Sequence, residues 1–178
     1  MKLLKLFFVL IFFTPVETFA EDNKSLSSNN GDVKFTSDNI EVDEKNKIVT
    51  ASGNVVIIND FRKITADKVT YDQKSDEAIA VGSVVLKEKD GSIYETDKSV
   101  LTNEFKSVIA IPLFGKLADK SSVSAKKFNK NDLGESFFRE GVYTACECDL
   151  KKDETPIWRL ESKQIKHDPK TKTVYLKH

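Results

Sequence analysis

Histidine is almost missing from this 178-residue sequence: His167 and His178 are the only two. The chain also has no serine-centred nucleophile elbow, no HExxH and no glycine-rich phosphate loop, so hydrolytic, zinc-peptidase and nucleotide chemistries lack their residues. No enzymatic activity and no cofactor are expected. Net charge is absent too. Twenty-eight Lys and Arg balance 28 Asp and Glu, with the two signs interspersed. A nucleic-acid partner is thereby excluded, because it would need a basic patch. Cysteine is limited to Cys146 and Cys148. With His167 as the only internal histidine, a four-ligand metal site is short of donors. A bond between residues two apart closes a very small ring. The two thiols are therefore expected to pair with a cysteine on another polypeptide or on a continuation of this one.

Long apolar runs are missing except at the start. Lys2 and Lys5 precede Leu6 to Phe13, then Pro15, the small-residue end Thr18-Phe19-Ala20 and acidic Glu21-Asp22. This is the pattern of a cleaved secretory signal over residues 1–20, and it falls short of the roughly 20 apolar residues of a membrane span. Without it the chain carries 26 basic and 27 acidic residues, and both cysteines lie in a compartment where disulfides form. Residues 21–32 are polar and aperiodic and read as a flexible leader. The folded domain is expected over residues 33–178.

What the chain does have is repetition. Displaced by 29 residues, Thr36, Asp38, Asp43, Lys45, Ala51, Gly53, Val55 and Val56 fall on Thr65, Asp67, Asp72, Lys74, Ala80, Gly82, Val84 and Val85. Internal repeats set the architecture before any single residue does. Each copy is strand, polar turn, strand. Val42 or Tyr71 closes the first strand. Ala51, Gly53, Val55 and Ile57, or Ala80, Gly82, Val84 and Leu86, form one face of the second. Alternation of β-branched and small residues between polar turns predicts antiparallel strands with that face inward. No helical period competes with it. Asp43 and Asp72 open turns and are read as caps of their own backbone. The recurring Gly53 and Gly82 mark a bulge, a twist point or a close approach. Pro112 must lie at an edge, a bulge or a strand end. The unit returns at Ser162–Asp168 and Val174–Leu176. The fold class is all-β, a stack of strand-turn-strand units of solenoid or jelly-roll kind.

The repeated Ala51-Ser52-Gly53-Asn54-Val55 and Ala80-Val81-Gly82-Ser83-Val84, each after an Ile/Val-x-Val/Tyr-Asp step, resemble the OstA-type β-jellyroll. That domain is shared by the periplasmic lipopolysaccharide-transport proteins LptA and LptC and by the N-terminal part of LptD. Gly141 to Cys146, Pro156 to Leu160, Ile165 to Asp168 and Val174-Tyr175 resemble the LptD branch, whose members continue into a β-barrel.

The resemblance implies lipopolysaccharide transport and assembly at the Gram-negative outer membrane, from its periplasmic face. It implies an apolar lipid groove of Val42, Ala51, Val55, Ile57, Tyr71, Ala80, Val84 and Leu86. It implies an LptA-like bridge protein joined through an edge strand, a β-barrel portion of the same protein with its lipoprotein plug, and disulfides from Cys146 and Cys148 to that barrel. Shielding a 12–14-carbon chain takes about 10 kcal/mol of apolar cover, at about 0.8 kcal/mol per CH₂. A soluble LptA-type shuttle and a purely structural jelly roll are the competing readings.

Overall fold

In a computed structural model, which describes residues 24–27, 33–152 and 154–178, the chain forms a single antiparallel sheet. The strands are β1 (Lys24–Ser27), β2 (Lys34–Ser37), β3 (Asn39–Asp43), β4 (Ile48–Ile58), β5 (Arg62–Asp72), β6 (Glu77–Glu88), β7 (Ile93–Thr102), β8 (Ser107–Ile111), β9 (Leu113–Lys116), β10 (Ser122–Lys130), β11 (Ser136–Thr144), β12 (Leu160–Asp168) and β13 (Thr173–Lys177). Their order is β1-β2-β4-β5-β6-β7-β8-β10-β11-β12-β13, with β3 beside β4 and β9 between β7 and β10. A short 3₁₀ turn at Leu150–Lys152 is the single helical element among the described residues. The all-β expectation holds. The signal-like residues 1–20 lie outside the described residues. The segment read as a leader contributes a strand, because β1 pairs with β2 from Lys24↔Ser37 to Ser27↔Lys34. Such a strand adds through its backbone and needs no apolar pattern to do so.

Turn chemistry fixes the hairpins. Asp43 Oδ1 accepts from the Asn46 amide at 3.0 Å, Asp72 Oδ1 from Lys74 at 2.8 Å and Asp168 Oδ1 from Lys170 at 2.9 Å. Backbone amides favour the charged carboxylates, those of Asn46 on Asp43, Lys74 on Asp72 and Thr171 with Lys170 on Asp168, and hold all three below the ordinary aspartate range. The expected caps are therefore present.

A crease crosses the whole sheet. On β4, Gly53 and Asn54 both take positive φ, at 75° and 45°, and on β6 Gly82 and Ser83 repeat this at 76° and 44°. The ladder slips at the same places, between Ser52 and Val55 and between Val81 and Val84. These are β-bulges, which bend the strand that carries them. The glycines also permit a close approach, since a Cβ on Gly53 or Gly82 would collide with the carboxylate of Asp38 or Asp67. The first bulge is tied by Asn54 Nδ2, which donates to Asp38 Oδ2 at 2.9 Å, and by the Asp38 amide to the Gly53 carbonyl at 3.0 Å. Further along, the crease passes Asp97, the cis-Pro112 that separates β8 from β9, and Glu140 with φ 48°. Buried hydroxyls bridge it from within: Ser37, Thr96 and Ser162 donate to the carbonyls of Asn39, Lys98 and Gln164 at 2.9–3.0 Å.

The crease folds the sheet onto itself. Ile93 pairs with Lys87, next to Glu88 and Arg62 at one margin, while Thr102 marks the other end of β7. A straight ten-residue strand is about 30 Å long. Yet Arg62 Nη2 donates to the Lys106 carbonyl at 3.2 Å, and Asn59 Nδ2 to that of Phe105 at 3.4 Å. The two margins meet, so the strand halves face each other across a common core.

Candidate functional site

The bent sheet forms a slot that is filled by its own, mostly aliphatic side chains. Ala51, Val55 and Ile57 from β4 and Ala80, Val84 and Leu86 from β6 are all at most 1% exposed and belong to one cluster. Their inward orientation agrees with the face read from the repeat. Small residues next to the crease and larger ones further out fit the narrowing between the two halves. Tyr71 is half-buried at the far end of its strand, its ring 5.6 Å from Phe105 and its hydroxyl donating to Asp76 Oδ1 at 3.0 Å. Burial and that bond both push the Tyr71 phenol above its ordinary range. Val42 shares the inner face but is 57% exposed, because among the described residues β3 has β4 as its only strand neighbour.

The slot also holds residues that alternation did not reveal. Ile64, Ala66, Leu101, Val108, Ala110, Leu113, Val123, Ala125 and Phe128 complete it. On β4 and β6 the inward positions on either side of the crease are four apart, as Ala51 and Val55 or Ala80 and Val84. On β5 they are three apart, Ala66 and Val69, and on β7 likewise, Thr96 and Ser99. An odd step reverses the parity of the alternating pattern, so a face read from Val69 and Tyr71 misses Ile64. Phe128 is the largest fully buried side chain, stacked on Tyr94 at 5.5 Å and tilted against Phe138 at 4.9 Å. Burial pushes the Tyr94 hydroxyl well above its ordinary range.

A polar seam closes the slot where the margins meet. Arg62 is buried beside Glu88, with Nε 3.3 Å from Oε1, and Lys130 reaches Glu88 Oε2 at 3.0 Å from the opposite margin. Burial pulls the guanidinium below its ordinary value, opposed by the Glu88 charge. Among the described residues Arg62 Nη1 has no hydrogen-bond partner, and Nε faces Glu88 without hydrogen-bond geometry. A buried charge network that is only partly satisfied holds a joint less firmly than apolar packing of the same area would.

Both ends of the apolar stripe emerge into solvent. Val42 is exposed at one end. At the other, Leu176 pairs with inward Ile165 but is 42% exposed. Among the described residues no cluster of His, Cys, Asp and Glu could hold a metal, and the slot contains no nucleophile–base pair. The arrangement can cover an apolar chain.

The thiols correct one expectation. Cys146 and Cys148 are bonded to each other, with Cα atoms 5.2 Å apart. That separation lies inside the range a disulfide spans, because the chain doubles back after β11. The Ser122 hydroxyl lies 3.0 and 2.7 Å from the carbonyls of Cys146 and Cys148 and donates between them, holding the bend.

Residues 34–111 match the model of a family described as LptA/(LptD N-terminal domain) LPS transport protein. No curated protein matches the sequence. A similar solved structure is the crystal structure of LptH, the LptA homologous periplasmic component of the conserved lipopolysaccharide transport device from Pseudomonas aeruginosa. It aligns over 85% of this chain and 85% of its own with 15% identity and a TM-score of 0.35.

Proposed function

We propose that the creased sheet carries lipopolysaccharide with its acyl chains in the slot, a reading supported by the match of residues 34–111 to the LptA/(LptD N-terminal domain) LPS transport family. The observation that carries this reading is the single buried apolar cluster that spans β4 to β10 on the inner face, with Val42 and Leu176 exposed on that face beyond it. Val42, Ala51, Val55, Ile57, Tyr71, Ala80, Val84 and Leu86 are its proposed lipid contacts. Each CH₂ hidden from water is worth about 0.8 kcal/mol, so transfer along such a face needs cover and no chemical step. The six contacts on β4 and β6 touch one another at rest. A chain therefore reaches them by parting the seam at Arg62, Glu88 and Lys130.

The export signal over residues 1–20 would bring the protein to the periplasm, at the outer-membrane face. An exposed edge strand would receive cargo from an LptA-like bridge by adding to the sheet, a backbone-driven contact. The segments Gly141–Cys146 and Pro156–Leu160 favour the LptD branch, with a β-barrel and its plug as further partners, over a soluble LptA-type shuttle. A photoreactive residue at Ile57 or Leu86 is expected to crosslink to lipopolysaccharide. Val55→Asp or Val84→Asp is expected to abolish crosslinking while the circular dichroism stays β. Absence of any crosslink from either position would remove the slot as a lipid path.

The tight packing of Ala51, Ile57, Ala80 and Leu86 favours a second reading, in which the inner face is only a structural core. A fluorescent lipid A separates the two. Saturable binding that is lost when Asn59→Cys and Phe105→Cys are joined across the seam supports the lipid path, and no saturable binding supports the structural one.

A further inference from the structure

The strands that close the C-terminal end of the sheet carry a second cleft, on the face opposite to the slot. Residues paired across an antiparallel sheet share a face, and rows alternate between faces. The row Phe128, Phe138, Ile165, Leu176 points inward. The flanking rows must then point outward. One runs Lys127, Arg139, Gln164, Lys177, and the other Asn129, Phe137, Lys166, Tyr175. Together with Phe138, Ile165 and Leu176 of the row between them, they line a cleft of about 460 Å³.

Its chemistry is unlike that of the rest of the surface. Four cations line it and no carboxylate does, in a chain whose charges are otherwise balanced. Among the described residues Lys127, Arg139 and Lys177 make no ion pair, while Lys166 is held by Glu135 at 2.7 Å. The Lys166 ammonium also lies 5.5 Å from the centre of the Phe137 ring, a cation–π contact that fixes both groups. Tyr175, two strands from Phe137 and 53% exposed, presents a second ring.

We propose that this outer cleft binds a phosphorylated saccharide. Exposed rings offer flat apolar surfaces to the C–H faces of sugars. The cation row, spaced at about 4.8 Å per strand, can engage phosphates along the chain, and Arg139 can do so in a bidentate manner. The four cations select an anionic ligand, and the amides of Asn129 and Gln164 can hydrogen-bond its hydroxyls. The site stands apart from the slot, and the choice of probe alone rests on the transport reading.

The probe is deacylated lipopolysaccharide, which keeps sugars and phosphates and has no alkyl chain, titrated calorimetrically into the full chain. Saturable binding is expected. It should weaken about tenfold in Arg139→Glu, weaken several-fold in Phe137→Ala, and vanish when the probe is dephosphorylated. Both residues are exposed, so the variants should keep the fold, and slot crosslinking from Ile57 should persist in them. No saturable binding, or binding indifferent to Arg139→Glu, overturns the site. Equal binding of single-stranded DNA, or of phosphatidylglycerol vesicles, through the same residues overturns the saccharide assignment. Loss of Ile57 crosslinking with cleft binding intact would sink the transport slot and leave this site standing.

Discussion

The two ends of the sheet solve the same folding problem differently. Over β4 to β7 the crease carries paired glycine bulges on β4 and β6, the inner face is buried on both sides of it, and the repeat is regular. Over β10 to β13 the crease is made by Glu140 alone, in an unfavourable positive-φ conformation and paired with Lys126, and apolar groups reach solvent at Val174, Tyr175 and Leu176. Regularity goes with closure. Where the repeat decays, surfaces are left over, and both the exposed stripe end and the cationic cleft lie there.

The sharpest way to break that contrast is one substitution made at both ends. Leu86→Asp places an unpaired charge in the closed slot and should cost about 4 kcal/mol. Leu176→Asp should cost less than about 1 kcal/mol. Urea unfolding measures both, and equal costs would mean that the C-terminal end is closed as well.

The seam ranks next. Glu88→Gln leaves Arg62 buried without its counter-charge, and about 3 kcal/mol of lost stability is expected. A cost near zero would show that the seam is already open in solution.

The crease follows. Gly82→Ala adds a Cβ that collides with Asp67 at a positive φ, for about 2 kcal/mol of destabilisation. Glu140→Gly relieves a strained residue and should be neutral or stabilising by about 0.5 kcal/mol despite losing Lys126. Opposite signs at equivalent places in the two halves would confirm that only the repeated half was built around glycine.

The smallest effect is one on which the halves should agree. The turn carboxylates Asp43, Asp72 and Asp168 lie below their unfolded values, so their contribution is complete above about pH 4. It is lost as the pH falls through the lower folded values. The urea midpoint should drop in that acid range. Asp72→Asn and Asp168→Asn should each flatten the drop, and a drop unchanged in both variants would rule out the turns as its source.

Much of the closed half was legible in the sequence because its signals are local. The turn aspartates, the bounds of β4 and the inward Ala51, Val55 and Ile57 follow from alternation and repetition. Ile64, Leu101 and Leu113 did not, because each crease crossing of three residues reverses the parity on which alternation depends. β11 was hidden for the same reason, its Arg139-Glu140-Gly141 reading as polar where the strand merely bends. β1 lay hidden because backbone pairing leaves no side-chain pattern. The Cys146–Cys148 bond depends on a bend held by Ser122, 24 residues earlier in the chain.

The seam has a consequence for length. Asn59 meets Phe105 and Arg62 meets Lys106, so each margin contacts the other about one and a half units further on. The sheet is wound like a screw, with two strands, or about 10 Å, added per 29-residue unit. A whole unit spliced in between Asp72 and Glu77 would lengthen the slot by that pitch and leave every seam contact in phase. Half a unit would bring matching margins face to face and unthread the screw.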